Sequence, residues 1–261
     1  MTPEELERFF SELDGWARER GAAATAVVYG DHPDQALDLY PAAVGEGRAL
    51  VLVLHGGFWR APYTRRNTAA LSIALSEAGW DTANVEYRRL GPGSYRPMLD
   101  DVRSAREQLA SYERAIAVGH SAGGHLALWL TAEGAVDAAV ALGGVCDLAA
   151  ADAEGLGQRA VAEFLGGSAA EAPDAYRAAD PAARLPLGRP QVLIHGTGDD
   201  RVPVVHARSY AARAAAAGDD CRLVELETDH FQPIDPRSPV WPILVSTVES
   251  LSDRTVTAEA L

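Results

Sequence analysis

The sequence predicts an α/β fold with a mostly parallel central sheet and helices on both faces. Two observations carry this prediction. Short continuous apolar runs recur along the chain, and stretches with helical periodicity separate them. Apolar runs without alternation are typical of strands buried on both faces, as in parallel sheets. At 261 residues, with 48% of them hydrophobic, the chain is long enough for one domain of this class.

The elements follow in order from local patterns. Thr2 and Glu5 have capping-box spacing with Pro3 at the first helical position, and apolar residues then recur at helical intervals, so residues 1–23 should contain an amphipathic helix. Strands are predicted at 24–29, 35–40, 49–54, 82–87, 115–119, 138–142, 192–195 and 223–226. Helices are predicted within 65–77, at 98–111, from 123, between 205 and 217, and after 239.

We expect one domain over residues 1–253, followed by a C-terminal tail at 254–261. Residues 146–190 interrupt the alternation of strands and helices and are rich in alanine. We interpret this segment as a small cap inserted over the functional site. The first helix should dock either on its own core or on a second subunit, which would make a homodimer.

Composition excludes several classes of function. The formal net charge of −14 argues against nucleic acid or an anionic membrane surface as a partner. The chain has no lysine, which excludes a pyridoxal Schiff base, a P-loop lysine and a Ser–Lys dyad. Cys146 and Cys221 form neither a disulfide framework nor a C-x-x-C metal pattern. With no signal-peptide pattern and no long apolar run, we expect a cytoplasmic protein.

Residues 119–123 read Gly-His-Ser-Ala-Gly, a G-x-S-x-G pattern between an apolar run and a helical stretch. That context is typical of a nucleophile elbow, in which a strained turn presents the serine hydroxyl to the substrate. Ser121 is therefore the candidate nucleophile. Gly119 and Gly123 should relieve the crowding that such a turn creates.

A serine hydroxyl needs a base, and the base needs an orienting acid. His230 follows the last predicted strand, at the sheet edge where the ends of parallel strands converge, and is the candidate base. The acid should follow the preceding strand, where Asp199 and Asp200 are adjacent. Only one of these two carboxylates can face the histidine, and we choose Asp199, with Asp200 as its solvated neighbour. Asp229 has poor geometry because it is so close to His230. The other histidines lie in turns, at strand ends, at a helix start or beside the elbow: His32, His55, His120, His125, His195 and His206.

Acyl transfer also needs donors for the oxyanion that develops during the reaction. Residues 55–59, His-Gly-Gly-Phe-Trp, follow the first core strand, and their glycines allow close approach to a substrate. We expect the amides of Phe58 and Ala122 to form the oxyanion hole, with Gly57 as a third donor.

With these motifs placed, the chain resembles the α/β-hydrolase superfamily over roughly residues 24–253. Segments 55–59, 84–89, 119–123 and 229–231 are similar to those of the kynurenine formamidase (arylformamidase) group of small esterases. The resemblance implies hydrolysis of an aryl formamide, such as N-formylkynurenine, or of a small ester by a Ser-His-Asp triad without metal or cofactor. A His-Gly-x-x-Asp-x-x-Val-Pro turn of such hydrolases matches residues 195–203, which supports Asp199 over Asp200.

The remaining candidates concern the substrate. Five aromatic residues could line a pocket for an aryl group or belong to the core: Trp59, Tyr63, Tyr87, Phe164 and Phe231. Three arginines could bind a substrate carboxylate or pair with acidic side chains: Arg60, Arg88 and Arg89.

The leading hypothesis is a serine hydrolase that cleaves a small amide or ester through an acyl-enzyme. Within that class, a general short-chain carboxylesterase, a lactonase, a thioesterase or a peptidase is the alternative. The alternative of another class is a hydrolase fold retained as a ligand receptor. Such receptors usually lose a triad residue or an oxyanion glycine, and this chain has both.

Overall fold

The computed structural model describes residues 1–43, 49–61, 63–89 and 91–253; the expected tail at 254–261 lies outside the described residues. Their strands form one sheet in the order β1-β2-β4-β3-β5-β6-β7-β8. The bounds are β1 (Thr25–Val28), β2 (Ala36–Tyr40), β3 (Leu50–Leu54), β4 (Thr82–Val85), β5 (Ala115–His120), β6 (Ala138–Leu142), β7 (Gln191–Gly196) and β8 (Cys221–Leu226).

The sheet is mostly parallel, as the sequence predicted. β1 pairs antiparallel with β2 and β2 with β4, whereas all the pairings from β4 through β8 are parallel. The strands β3 to β7 are buried along most of their length, which explains their unbroken apolar runs. Because parallel strands end at the same edge, the loops after β3, β5, β7 and β8 meet there.

Helices cover both faces of the sheet. Their bounds are α1 (Pro3–Arg20), α2 (Ala69–Glu77), α3 (Tyr95–Gln108), α4 (Ala122–Ala132), α5 (Leu148–Ala153), α6 (Leu156–Leu165), α7 (Pro173–Ala179), α8 (Val204–Ala216) and α9 (Trp241–Asp253). Buried side chains of α1, α2 and α9 share one core cluster, and those of α3 to α8 share the other. Short 3₁₀ turns occupy Arg65–Thr68, Pro181–Arg184 and Gln232–Ile234.

The helix predicted at 98–111 begins three residues earlier, at Tyr95. The prediction started it at Met98, directly after Pro97. Pro97 instead lies in the first turn, where the amide that proline lacks would have no partner within the helix.

Helix α1 docks on its own core. Thr2 and Glu5 form the predicted capping box, in which the Glu5 amide donates to the Thr2 hydroxyl at 3.3 Å and the Thr2 amide to the Glu5 carboxylate at 2.7 Å. Leu13 is buried in the cluster that includes α2 and α9. The sequence left two docking sites open for this helix, its own core and a second subunit. In the structure, the helix packs on its own core.

Leu13→Ala should therefore reduce the free energy of unfolding by about 2–4 kcal/mol, through lost apolar contact and the cavity left behind. The measurement is urea unfolding at two protein concentrations tenfold apart, and the reduction should be the same at both. The neighbouring exposed substitution Glu12→Ala is the control and should change the free energy by less than about 0.5 kcal/mol. A Leu13→Ala effect no larger than that of the control would contradict the docking.

Candidate active site

Ser121 lies at a strained turn between β5 and α4. Its backbone has φ 55° and ψ −118°, outside the regions that non-glycine residues ordinarily adopt. The Ser121 amide donates to the Leu142 carbonyl of β6 at 2.9 Å, which holds the turn against the sheet. A Cβ atom on Gly119 would lie 1.9 Å from the Gly123 carbonyl oxygen, so the close approach of strand and helix requires the absence of a side chain. This is the geometry that the sequence predicted for a nucleophile elbow.

His230 and Asp199 are in direct contact at the same edge of the sheet. The loop after β8 carries His230 and the loop after β7 carries Asp199, and His230 Nδ1 lies 2.7 Å from Asp199 Oδ2. The side chain of Asp200 is 57% exposed, whereas that of Asp199 has no exposed surface. The third candidate, Asp229, accepts hydrogen bonds from backbone amides of its own turn. The structure thus brings Asp199, rather than either alternative, to His230.

Asp199 is held as a carboxylate. Its Oδ1 accepts hydrogen bonds from the amides of Arg201 at 2.9 Å and Val202 at 2.8 Å. Its Oδ2 lies 3.3 Å from His195 Nε2, as well as facing His230. Burial alone would raise the pKa of Asp199, but the hydrogen bonds from His195 and His230 outweigh it and hold that pKa well below the usual range. The acid is therefore ionised at neutral pH.

Two histidines outside the predicted triad contact its residues: His120 contacts His230, and His195 contacts Asp199. His120 Nε2 donates to the backbone carbonyl of His230 at 2.8 Å, and the two ring centroids are 4.7 Å apart. Burial and the neighbouring charge of His230 lower the pKa of His120 to about 3, so its ring is neutral. His195 Nε2 also lies 2.7 Å from the Val202 carbonyl. The only sequence signals for these contacts were the position of His195 at a strand end and that of His120 beside the elbow, which are compatible with many structural roles.

The predicted oxyanion loop follows β3 and is strained. Gly57, Phe58 and Trp59 have φ values of 108°, 49° and 58°. Within the described residues, no carbonyl accepts a hydrogen bond from the amide of Phe58 or Ala122. Strained backbone and unpaired amides beside a nucleophile are typical of a site that stabilises an anion.

Behind this loop lies a buried pair, His55 and Glu86. His55 Nε2 is 2.9 Å from Glu86 Oε1, and the Tyr87 ring stacks on His55 with centroids 4.2 Å apart. Glu86 also accepts from the amides of Arg65 and Tyr87, at 3.0 and 3.2 Å. Burial would raise the pKa of Glu86, but the hydrogen bond and charge of His55, followed by the charge of Arg89, lower it to about 2. His55 thus has the structural role that its position in the sequence indicated.

Ser121, His120 and His230 line one cleft, whose cavity has a volume of about 50 Å³. The predicted oxyanion loop forms a second side of this cleft, and apolar and polar side chains of other segments form the remainder. The other lining residues are Leu6, Phe10, Gly56, Gly57, Phe58, Tyr63, Asn67, Thr68, Arg201, Phe231 and Ile234.

Of the five aromatic residues predicted to line a substrate pocket, Tyr63 and Phe231 line the cleft. Trp59, Tyr87 and Phe164 do not line this cleft; Trp59 and Phe164 instead line a second cavity that Phe58 also lines. Trp59 stacks on Phe164 at 4.7 Å, and its indole donates to His125 Nδ1 at 3.2 Å, so both rings belong to the core beyond the loop. Tyr87 is fully buried beneath His55, and its hydroxyl donates to the His55 carbonyl at 2.7 Å.

The three candidate arginines and the inserted segment make contacts within the protein rather than in the cleft. Ion pairs engage all three arginines: Arg60 with Glu163, Arg88 with Asp101, and Arg89 with Glu86 and Asp34. No residue of segment 146–190 lines the cleft, although Gly157 of that segment packs against the ring of Phe58; the cap over the site stays a prediction. The apolar residues of that segment are buried instead in the core cluster of α3 and α4. Arg201, which the sequence analysis did not select, is the arginine that the structure places in the cleft lining.

The described residues contain no group of three or more His, Cys, Asp or Glu side chains that could hold a metal ion. The helices of the same residues include none with the length and apolar character needed to cross a membrane.

Residues 76–231 match the family model described as the prolyl oligopeptidase family. The chain belongs to this family. The matched region is more than half of the chain and contains Ser121, Asp199 and His230. Comparison with curated proteins gives no match.

Solved structures show that the fold is that of the α/β hydrolases. A truncated carbohydrate esterase from gut microbiota has a TM-score of 0.73 at 18% identity, covering 89% of this chain and 98% of its own. Esterase 2 of Thermogutta terrifontis phosphonylated by sarin has a TM-score of 0.68 at 21% identity, with 87% and 92% covered. The butyrate-bound form of the Thermogutta esterase has a TM-score of 0.65 at 23% identity, with 87% and 91% covered. The family and these neighbours together support a serine hydrolase.

The His55–Glu86 pair makes the stability of the fold depend on pH. Because the folded-state pKa of Glu86 is lowered to about 2, its carboxylate stabilises the fold above the unfolded pKa of about 4.3, and this contribution is lost as the pH falls from there toward 2. Glu86→Gln should therefore lower the free energy of unfolding by about 3 kcal/mol at pH 7. The difference from wild type should shrink as the pH falls below about 4.

Urea unfolding from pH 7 to pH 3 measures this difference. Glu77→Gln is the control, because Glu77 forms only a surface ion pair with Arg20 and should contribute less than about 1 kcal/mol at every pH. A Glu86→Gln difference that stays constant over this pH range would show that Glu86 does not act as a charged acceptor.

Proposed function

We propose that the protein is a serine hydrolase that cleaves small carboxylic esters through an acyl-enzyme, with Ser121 as nucleophile, His230 as general base and Asp199 as orienting acid. The observation that carries this proposal is the 2.7 Å contact between His230 and the buried Asp199 carboxylate, in the cleft that the elbow serine also lines. An ionised acid at Nδ1 keeps the proton on that nitrogen, which leaves Nε2 free to accept the hydroxyl proton.

The reaction then proceeds in two balanced steps. His230 takes the Ser121 proton as the oxygen attacks the carbonyl carbon, and the oxyanion is stabilised by the amides of Phe58 and Ala122, with Gly57 as a third donor. Collapse of the intermediate expels the alcohol, which receives the proton from His230 and leaves an acyl-serine. Water, deprotonated by His230, attacks the acyl group and releases the acid, and the proton returns to Ser121.

The cavity within the cleft is small, about 50 Å³, which supports small esters over long peptides. The butyrate bound in the Thermogutta esterase supports a short acyl chain. The aryl formamide implied by the resemblance to arylformamidases is the second candidate. Its support is the cluster of Phe10, Tyr63 and Phe231 in the cleft, which could pack against an aryl ring.

Ser121→Ala should lower kcat/KM for p-nitrophenyl acetate by at least about 10⁴-fold, because the nucleophile is lost. Thermal unfolding should change little, since the alanine fits wherever the serine side chain did. The measurement covers p-nitrophenyl acetate, p-nitrophenyl butyrate and N-formylkynurenine, each with Ser121→Ala as the blank. Higher wild-type kcat/KM for the esters supports the esterase, and higher kcat/KM for the formamide supports the second candidate.

Ser246→Ala is the control for this substitution, since Ser246 lies on the exposed face of α9 and bonds only to the Ile243 carbonyl. It should retain wild-type activity. Turnover of the esters by Ser121→Ala at more than a tenth of the wild-type rate would exclude the acyl-enzyme mechanism.

The adjacent aspartates offer a matched pair of variants. Asp199→Asn should lower kcat by about 10⁴-fold, because the amide favours the wrong tautomer of His230. Asp200→Asn should stay within twofold of wild type, because that side chain is mostly exposed and bonds to neither histidine. Steady-state kinetics on p-nitrophenyl acetate compares the two variants, and a larger loss from Asp200→Asn would reject the assignment of Asp199.

A further inference from the structure

We propose that helix α1, and not the inserted segment 146–190, forms the substrate-selecting wall of the cleft, and that Leu6 and Phe10 set the size of the uncharged apolar or aryl group that the site accepts. This inference rests on the proposed ester hydrolysis and adds the elements that determine its specificity. Leu6 and Phe10 line the cleft that contains Ser121 and His230.

Phe10 belongs to an aromatic cluster that reaches the catalytic histidine. Its ring centroid is 6.5 Å from that of Tyr63 and 5.9 Å from that of Phe231, and both pairs have edge-to-face geometry. Phe231 follows His230 in the chain, and their rings are 5.1 Å apart. A group bound beside Phe10 is therefore close to the reacting atoms.

Several polar side chains of the cleft wall are already engaged within the protein. The Thr68 hydroxyl is 2.8 Å from Asn84 Oδ1, and Asn67 Oδ1 accepts from the Thr64 amide at 2.9 Å. The Arg201 guanidinium donates to the Met1 carbonyl at 3.0 Å and lies 3.4 Å from Asp200, although its buried Nε atom has no hydrogen-bond partner among the described residues. What this wall offers a substrate is chiefly apolar contact, so the group that it selects should be apolar and uncharged.

Helix α1 is fixed firmly enough to act as a wall. Leu13 anchors its middle in the core, and the bond from Arg201 ties its start to the turn that carries Asp199. Asp14 pairs with Arg66 at 2.8 Å, which adds a contact to the segment that leads into α2. A wall held at several points excludes a group that is too large, because close-packed side chains yield little space.

The test compares substrate size in two series: p-nitrophenyl esters from acetate to octanoate, and alkyl acetates from ethyl to octyl. Phe10→Ala should raise the kcat/KM of a long member relative to the shortest member by at least about tenfold in one of the series, since one methylene group in a pocket changes specificity by roughly tenfold or more. The ratio is read within one protein preparation, so partial loss of folded enzyme does not change it.

Phe9→Ala is the matched control. Phe9 lies on the same helix and contacts Phe10 and Phe231, at 5.5 and 5.9 Å, but it lines an outer groove rather than the cleft. For Phe9→Ala, the kcat/KM of a long substrate relative to the shortest should stay within twofold of the wild-type ratio in both series. Leu6→Ala is the second variant, with a smaller shift in the same direction, and it tests the wall if Phe10→Ala does not fold.

Labelling of Ser121 with a fluorophosphonate separates failure of this inference from failure of the proposed function. If Ser121 is labelled and esters are hydrolysed, but the size ratios of Phe10→Ala and Leu6→Ala match wild type in both series, α1 does not select the substrate. Equal shifts in Phe9→Ala and Phe10→Ala would also overturn the inference, because they would show general loosening of the helix. If wild type neither reacts with the label nor cleaves any ester, the proposed function itself fails, and the inference fails with it.

Discussion

The candidate site depends on the parallel register of β3, β5, β7 and β8, since each strand delivers one component to the same edge of the sheet. β3 leads into the oxyanion loop, β5 into Ser121, β7 into Asp199 and β8 into the loop of His230. The residues are far apart in the chain, and no local interaction could bring them together. The hydrogen-bonded ladder of the sheet fixes their spacing, so the core strands are as necessary to the chemistry as the reacting groups.

This arrangement holds two backbone turns in unfavourable conformations. Ser121 at the elbow and Phe58 in the oxyanion loop both have positive φ, a conformation that costs non-glycine residues roughly 1–3 kcal/mol. Buried contacts on either side offset this cost: the elbow bonds to β6, and the His55–Glu86 pair supports the oxyanion loop from behind. Both strained residues line the cleft, so this cost falls at positions that a bound substrate would meet.

The sequence predicted the parallel sheet and indicated Ser121, Asp199 and His230 as candidate site residues. It could do so because each of these signals is local: an apolar strand followed by a short motif. Side-chain direction is not local in this sense. Trp59, Tyr87 and Phe164 looked equivalent to Tyr63 and Phe231, and only the packing partners of each ring decide between core and cleft. The wall formed by α1 could not be predicted from the sequence for the same reason. Phe10 contacts Phe231 through tertiary packing, which helical periodicity does not specify.

Helix α1 and segment 146–190 pack on opposite faces of the sheet, and of the two, α1 contributes the side chains that line the cleft. Segment 146–190 buries its apolar residues with α3 and α4, whereas α1 packs with α2 and α9 and extends to Phe231. His230, the proposed base, is thus held from two directions: His120 bonds to its carbonyl from the elbow, and the aromatic cluster packs beside its ring from α1. A change in the packing of α1 therefore acts on both the space available to a substrate and the support of the base. Selection of the substrate and positioning of His230 share one set of contacts.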